Sequence, residues 1–377
     1  MAAVLENPFV TLGYSGSEYF CDRKEETEKI IRMLKNGNNL ALISPRRMGK
    51  SGLIWHCFDD CRIKGNFLTF YIDIYATRSL DEFIVALGKE IVSKLKPAGE
   101  KALELFVRTV SSLSPGVSFD TLGNPTFSLQ PGEIRNGETS LEEIFRYLER
   151  AGKPCIVAID EFQQITEYPQ TNTEALLRTH IQRCTNARFI FAGSRRHTMS
   201  GIFLSASRPF YQSVSMMNLG TIDREAYFDF AGGHFTNGGK RLEKKQFDEI
   251  YDRYDGVTWY IQKMLNALYM DTDKGECVTD DSLERARKDI IDGFSFNYLD
   301  TLYRLTSKQK EVLVAIAHEG KARGITSATF IRDHALSSAS SVQSAAKWLL
   351  KNDFITNEGD CWYVYDYFFA DWLRSKF

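Results

Sequence analysis

The stretch at residues 43–52, ISPRRMGKSG, decides the fold of this chain. It follows the apolar run Leu40–Ile43 and leads into GLIWHCFDDC, which has the pattern of a helix. From residue 44 to residue 51 it matches the template G-x-x-x-x-G-K-[ST] of phosphate-binding loops at every fixed position but the first. A strand before the loop and a helix after it are the context that this motif needs. The predicted nucleotide-binding residues of this loop are Ser44, Pro45, Arg46, Arg47, Met48, Gly49, Lys50, Ser51 and Gly52.

Each residue type at the end of this loop has a chemical task. Gly49 lets backbone N–H groups turn towards phosphate oxygens, and the following helix adds the positive end of its dipole. Lys50 reaches the β- and γ-phosphates, and the Ser51 hydroxyl joins the coordination shell of Mg²⁺. Ser44 stands where glycine is usual, but serine adds one small group, so we expect a tolerated variant. The alternative interpretation is a basic turn with an accidental Gly-Lys-Ser.

A carboxylate pair stands about 110 residues after the loop, in CIVAIDEFQQI. Asp160 closes an apolar run, where it can orient Mg²⁺ through the waters of the ion. Glu161 follows directly, at the place of a general base that polarises the attacking water. A strand ending in solvated acids is common by itself, but the pair and the loop together predict a nucleotide site. The Asp-Glu doublet favours hydrolysis over transfer to a small-molecule acceptor.

A third apolar run ends in polar residues, in ARFIFAGSRRHTM. The small side chain of Ser194 can hydrogen-bond the γ-phosphate or the lytic water. Arg195 and Arg196 can compensate phosphate charge, in the same subunit or in a neighbouring one. A solvated loop face is an equally good interpretation of the two arginines.

Four short apolar runs read as buried strands, and a helical pattern follows each of them. This alternation predicts an α/β fold in which helices cover both faces of a parallel sheet. A stretch rich in Gly, Pro and Ser lies between the second run and the third, and VSFDTLGNPTFSL within it is typical of a small hairpin. We expect an insertion there, at about residues 112–140. The four predicted strands are residues 40–43, 67–73, 155–159 and 188–192.

The second half of the chain changes character twice. From residue 223 to about residue 291 the pattern is purely helical and predicts a small helical subdomain. Three helical patterns follow, and Leu313 and Ile316 lie on the apolar side of the first. FITNEGDCWYVYD then reads as two strands around Glu358-Gly359-Asp360. Three helices followed by a β-hairpin are the pattern of a winged helix.

Composition limits the possible classes. A chain of 377 residues exceeds one typical core, and 43% apolar with 25% charged residues is an ordinary soluble composition. The formal net charge of −2 gives no overall field towards nucleic acid or membrane. No apolar run approaches the roughly 20 residues of a membrane span. The N-terminal residues lack the basic start and apolar stretch of a signal peptide, and seven scattered cysteines match no zinc pattern. We expect a cytoplasmic protein with reduced thiols.

The ordered motifs SPRRMGKSGL, CIVAIDEFQ and FIFAGSRRH resemble those of the archaeal-type ATPases of the AAA+ superfamily. This group is widespread in archaea and in bacteria such as the Bacteroidetes, and it is similar to origin-recognition ATPases and to STAND proteins. The resemblance implies a P-loop (ASCE) parallel sheet of order 5-1-4-3-2, a helical lid and a winged helix. It divides the chain into an ATPase domain (residues 1–222), a lid (223–295) and a winged-helix domain (296–377).

The resemblance also assigns residues outside the phosphate loop. In the family, a segment like YFCDRKEETEKIIRML lies over the adenine, so Phe20, Asp22 and Arg23 are implied to be nucleotide-binding residues. Asp22 stands where the family commonly has glycine. Thr258 occupies a position of the lid where the family commonly has proline, and Lys263 is the candidate for the γ-phosphate sensor. These departures concern the coupling of hydrolysis to the lid more than nucleotide binding.

The charge of the predicted winged helix bears on its partner. Its recognition helix, near residues 341–351, carries only Lys347 and Lys351 as cations. Residues 301–377 hold ten Lys and Arg against eight Asp and Glu, a balance of +2. Binding of DNA phosphates needs several clustered cations, so packing within the chain or on a protein partner is at least as good an interpretation.

Two hypotheses of different class follow. The first is an ATP-binding protein that hydrolyses ATP slowly, with ATP/ADP and Mg²⁺ as ligands, and acts as a nucleotide-driven switch with a protein partner or in self-association. The second is a winged-helix module that binds DNA or regulates, with nucleotide as a structural ligand. A stress or phage-defence sensor is a third hypothesis, which rests on fold analogy alone. None of the three involves a membrane.

Overall fold

A computed structural model describes residues 5–94, 117–119, 125–127 and 137–377. The chain forms two compact units. Leu12–Tyr227 form the first, which we call the sheet unit. Phe228–Phe377 and the described residues before Leu12 form the second, which we call the helical unit.

The sheet unit is built on a five-stranded parallel sheet. The strands are β1 (Leu40–Ile43), β2 (Leu68–Asp73), β5 (Cys155–Asp160), β6 (Ala187–Gly193) and β7 (Ser215–Asn218). Their order in the sheet is β2-β5-β6-β1-β7. Numbered within this sheet only and taken from the other edge, that is the predicted order 5-1-4-3-2, and β6 separates the strand of the Asp-Glu pair from the strand of the loop. The prediction of the fold is confirmed.

Helices cover both faces of this sheet because successive strand residues point to opposite sides. Ala41 and Ile43 belong to a core cluster on one face, and Leu40 and Leu42 belong to the cluster on the other. Burial of each leucine or isoleucine side chain of this kind stabilises the fold by roughly 1.5–3 kcal/mol. The helices are α1 (Lys24–Lys35), α2 (Lys50–Asp59), α3 (Leu80–Lys94), α4 (Gly137–Arg150), α5 (Thr173–Arg183) and α6 (Arg196–Leu204).

Two side chains of α3 form hydrogen bonds with the backbone of β2, the edge strand of the sheet. Glu90 accepts a hydrogen bond from the backbone N–H of Tyr71 (3.2 Å), and the Lys94 ammonium donates to the carbonyl oxygen of Thr69 (2.8 Å). An unpaired strand edge is a template for aggregation, and charged side chains are one way to protect it. On its other side β2 pairs with β5, and Asp73 at the end of β2 lies opposite Asp160 at the end of β5.

The predicted insertion at residues 112–140 lies largely outside the described residues. Within it, β3 (Val117–Phe119) and β4 (Pro125–Phe127) pair antiparallel, so the predicted hairpin is confirmed.

The helical unit contains most of α7 (Arg224–Asn237) and ends in a winged helix. Leu313 and Ile316 are fully buried, as predicted. The predicted wing is confirmed as an antiparallel pair of strands around Gly359, and a third short strand completes a three-stranded sheet. The helices are α8 (Lys244–Arg253), α9 (Thr258–Asp271), α10 (Asp280–Tyr303), α11 (Ser307–Glu319), α12 (Ala328–Asp333), α13 (Ala339–Lys351) and α14 (Tyr367–Lys376). The strands are β8 (Ala322–Arg323), β9 (Ile355–Glu358) and β10 (Cys361–Val364).

An aromatic cluster joins the predicted lid helices to the C-terminal helix α14. The ring of Tyr260 lies 5.0 Å from that of Phe368, and its hydroxyl accepts the backbone N–H of Tyr367 (3.2 Å). The Tyr367 hydroxyl in turn donates to Asp255 (2.8 Å). Aromatic pairs of this kind add about 0.5–1.5 kcal/mol each beyond their buried area. These contacts fasten the lid helices to the winged helix.

The two units and the predicted domains divide the chain differently. The N-terminal segment is bonded to Asn266 of α9 in both directions. The Asn7 side-chain amide donates to the Asn266 carbonyl (2.9 Å), and the Asn266 side-chain amide donates to the Phe9 carbonyl (2.8 Å). The described residues before Leu12 therefore pack in the helical unit, whereas the predicted ATPase domain includes them. The single helix α10 also runs across the predicted boundary at residue 295. The division into three domains stays a prediction.

Candidate functional site

Three strand ends bring the predicted motifs together. Ser44 follows β1, Asp160 ends β5, and Ser194 follows β6. Because these strands are parallel neighbours, their carboxyl ends lie at one edge of the sheet. Ligands of open α/β sheets bind in the crevice outside such carboxyl ends. The motifs are far apart in the sequence and adjacent in space.

The conformation of the loop explains why serine is accepted at residue 44. Ser44 is buried and its φ is not positive, so this position does not require glycine. Its N–H donates to the carbonyl oxygen of Gly193 (3.3 Å), which fastens the loop to β6. Arg47 (φ 71°) and Gly49 (φ 90°) take the left-handed conformation instead. Backbone N–H groups in turns of this kind form anion-binding concavities.

Lys50 begins α2 and lies across its own loop. Its ammonium donates to the carbonyl oxygens of Ser44 (3.0 Å) and Pro45 (3.1 Å). Only 6% of the residue is exposed, and this burial lowers the pKa of Lys50, while Asp160 and Glu161 act in the opposite direction. A buried ammonium held by neutral carbonyls alone is poorly compensated, so an anion in the loop would be a better partner.

Asp160 is fixed through both of its carboxylate oxygens. Oδ2 accepts the Ser51 hydroxyl (2.7 Å) and also the hydroxyl of Tyr71, and Oδ1 accepts the backbone N–H of Glu161 (2.9 Å). The predicted partners Ser51 and Asp160 are thus in direct contact. Burial raises the pKa of Tyr71, and the Asp160 charge raises it further, so its hydroxyl stays protonated and donates.

Glu161 is held in an unusual conformation. Its φ is 55°, which costs a non-glycine residue of order 1 kcal/mol or more and persists where the surroundings enforce it. Its Oε2 accepts the Ser194 hydroxyl (2.8 Å) and the side-chain amide of Gln163. The predicted catalytic residues Glu161 and Ser194 therefore lie together.

Two residues near the end of β2 lie at the site but were not among the predicted site residues. Tyr71 contacts Asp160, and Asp73 lies opposite Asp160 in the register of the sheet. Burial raises the pKa of Asp73, and Asp160 and Glu161 raise it too, whereas a hydrogen bond from the Tyr75 N–H opposes the shift. Asp73 ends its strand as Asp160 does, so a search for acids that close apolar runs could have found it.

The segment that the resemblance placed over the adenine has a firm structural role. The Arg23 guanidinium is buried and donates to the carbonyl oxygens of Gly220 (2.7 Å) and Met48 (3.4 Å). It therefore ties the phosphate loop to the end of β7. Asp22 and Arg23 both have positive φ. The ring of Phe20 stacks on His56 of α2, with 4.4 Å between centroids.

The remaining predicted site residues are placed as follows. Arg195 is exposed and forms an ion pair with exposed Glu167 (3.3 Å), and exposed Arg196 begins α6. Such surface pairs contribute roughly 0–1 kcal/mol. The Arg46 guanidinium lies over the ring of Tyr75, 5.5 Å from its centroid. Thr258 begins α9 in the helical unit. The binding and catalytic roles of all these residues stay predictions.

The parallel sheet of this order, the loop and the Asp-Glu pair together define a P-loop ATPase. The family model described as "ATPase domain predominantly from Archaea" matches residues 20–264, and one described as "Probable winged helix domain" matches residues 296–375. The chain belongs to this ATPase family, and it is an ATP-binding ATPase with a C-terminal winged helix. The predicted resemblance is confirmed.

Solved structures share the fold along nearly the whole chain. The Walker-type ATPase PABY2304 of Pyrococcus abyssi is 21% identical with a TM-score of 0.65, over 97% of this chain and 99% of that one. The ORC1 protein of Aeropyrum pernix, solved in complex with DNA, is 12% identical with a TM-score of 0.55, over 98% and 97%. The ORC2 protein of the same organism, solved with ADPNP and ADP, is 13% identical with a TM-score of 0.52, over 94% of each chain.

A search of curated proteins gave no match. Among the described residues, no helix combines the length and the apolar character that a membrane crossing requires.

Proposed function

We propose that this ATPase is a nucleotide-driven conformational switch. The observation that carries the proposal is the meeting of Ser51 with Asp160 and of Ser194 with Glu161 beside one phosphate loop. A site of this kind contacts the γ-phosphate of ATP, and these contacts are missing when ADP is bound. Because a ligand shifts an equilibrium by its differential affinity for two states, ATP and ADP would favour different arrangements of the lid and the winged helix.

In this proposal, residues 44–52 bind the phosphates through backbone N–H groups, and the Lys50 ammonium exchanges its two carbonyl partners for phosphate oxygens. Glu161 accepts the proton of the attacking water, and the Ser194 hydroxyl orients that water or the γ-phosphate. Phe20, Asp22, Arg23 and Thr258 would contribute to the nucleoside side of the site.

The donors at Ser51 and Asp160 suit Mg²⁺, which prefers oxygen ligands and is usually held by one or two protein carboxylates together with phosphates. Their hydroxyl and carboxylate oxygens already lie 2.7 Å apart. Ser51 and Asp160 are therefore the residues that would hold the ion. When bound with ATP, the ion would neutralise charge on the β- and γ-phosphates.

Hydrogen exchange tests the switch. The Glu161→Gln protein filled with ATP and the wild type filled with ADP should differ in amide protection in α9 and in the winged helix. Lys50→Ala incubated with ATP, the control, should exchange like the nucleotide-free protein. Equal protection of the helical unit in the ATP and ADP states would contradict the switch. The assignment of the protein as an ATPase would still stand.

A second candidate is DNA binding by the winged helix, and the exposed cations of its recognition helix favour it. Lys347 and Lys351 are exposed on α13. DNA affinity should then fall steeply with salt, since each neutralised phosphate releases counterions. Fluorescence anisotropy with a labelled duplex at low and high salt measures this, and no binding even at low salt would exclude the candidate. The acidic residues Glu358 and Asp360 of the wing make it the weaker one.

Three finer proposals complete the picture. The seven cysteines are free thiols, in keeping with a reducing cytoplasm. A protein partner or self-association would give Arg195 and Arg196 a role in trans, and a role in cis remains the alternative. The proposed switching cycle is similar to that of STAND proteins.

A further inference from the structure

Gln163 contacts the proposed general base and has no role in the function described so far. It lies in the 3₁₀-helix Phe162–Glu167, which begins directly after Glu161. Only 4% of it is exposed. Its side-chain amide donates to Glu161 Oε2 and lies 3.5 Å from the Ser194 hydroxyl.

The oxygen at the other end of the Gln163 side chain is buried at an energetic cost. The oxygen Oε1 of Gln163 is buried and has no hydrogen-bond partner. A buried polar atom without a partner costs roughly 1–3 kcal/mol, and native structures keep such atoms where another need outweighs the cost. Turning the amide over would place its oxygen against the Glu161 carboxylate. The arrangement therefore serves the donor end, which faces Glu161.

The backbone of β6 leaves room for the Gln163 side chain because residue 193 is a glycine. A Cβ atom at Gly193 would come within 2.4 Å of Gln163 Oε1 and 2.5 Å of Met199 Sδ. Met199 is itself fully buried. Gly193 thus allows the Gln163 amide to pass close to the strand and reach Glu161.

Both donors bind the same carboxylate oxygen of Glu161. Ser194 and Gln163 both donate to Oε2, and among the described residues no hydrogen bond to Oε1 is found. A carboxylate anchored through one oxygen presents the other in a fixed direction, as a base needs towards its water.

We infer that Gln163 is a positioning residue, which anchors Glu161 Oε2 so that Oε1 faces the attacking water. The inference rests on the proposed role of Glu161 as general base. Gln163 touches neither nucleotide nor water in this scheme and acts through Glu161, with a longer contact to Ser194. It should therefore affect the turnover number and not ATP affinity.

The test compares Gln163→Met with Gln164→Met, a matched control. The Gln164 amide donates to the Thr77 carbonyl (3.1 Å) and not to Glu161. Methionine keeps the length of the side chain and removes the unpaired oxygen, so Gln163→Met should melt at or above the wild-type temperature. Its kcat should fall roughly 10- to 100-fold, since a misplaced catalytic group costs about that much, with ATP affinity within about twofold. Gln164→Met should keep the wild-type kcat.

Two further variants make the result decisive. Gly193→Ala should lower kcat like Gln163→Met, because the new methyl group displaces the Gln163 amide. Wild-type turnover in Gln163→Met would overturn the inference. A fall in kcat that comes with a similar fold-loss of ATP affinity, or with a lower melting temperature, would overturn it too. Glu161→Gln, measured in parallel, separates the two claims. If it is inactive while Gln163→Met is fully active, only the inference fails, and if Glu161→Gln is also active, the proposed general base fails with it.

Discussion

We expect the replacement of Lys50 by alanine to abolish measurable ATP binding. The motif aims the Lys50 ammonium at the β- and γ-phosphates, and hydrogen bonds to charged groups contribute about 1.5–3 kcal/mol each. Loss of two such bonds weakens binding by roughly a hundredfold or more, at about 1.4 kcal/mol for each tenfold. Titration calorimetry with ATP and Mg²⁺ measures the effect directly.

The fold should survive this substitution. Burial lowers the pKa of Lys50, which means that its charge is costly where it lies without a ligand. We therefore expect Lys50→Ala without ATP to melt close to the wild type. ATP at 100 times its dissociation constant should stabilise the wild type by about 2.7 kcal/mol and leave Lys50→Ala unchanged. Lys35→Ala, at an exposed site on α1, is the control and should bind ATP normally. If Lys50→Ala binds ATP with wild-type affinity, the proposal that this loop binds the phosphates through Lys50 is wrong.

We expect the replacement of Glu161 by glutamine to stop turnover while ATP still binds. Glutamine has the same shape, and its amide oxygen can accept the hydrogen bonds that Ser194 and Gln163 now donate to Oε2. It cannot accept a proton from water. Loss of a general base costs typically 10²- to 10⁴-fold in rate, so phosphate release should fall by that factor with ATP affinity nearly unchanged.

A matched control is available six residues further along. Glu167 is exposed and pairs only with exposed Arg195 among the contacts described above. Glu167→Gln removes the same charge and should hydrolyse ATP at close to the wild-type rate. If Glu161→Gln hydrolyses as fast as the wild type, Glu161 is not the base.

The fold and the centre of the site could be predicted because their signals are local. The loop is one continuous stretch, and Asp160 and Ser194 each mark the end of an apolar run that reads as a strand. Parallel pairing then brings these ends to one edge of the sheet, with no further information needed.

Contacts made sideways across the sheet could not be predicted in this way. Tyr71 reaches Asp160 from the neighbouring strand, and nothing in its own sequence context marks it as a site residue. Gln163 owes its role to the space left by Gly193 on another strand. Asn7 lies 259 residues from its partner Asn266, so the packing of the first residues on α9 leaves no local pattern. The serine at position 44 could be judged only once its φ was known.

The central claim is that one site binds ATP through the loop and hydrolyses it through Glu161. The most direct test identifies the nucleotide that stays bound after incubation with ATP and Mg²⁺ and removal of the unbound fraction. Chromatography of the released nucleotide should find ADP in the wild type, ATP in Glu161→Gln and none in Lys50→Ala. ADP in Glu161→Gln, or bound nucleotide in Lys50→Ala, would contradict the account.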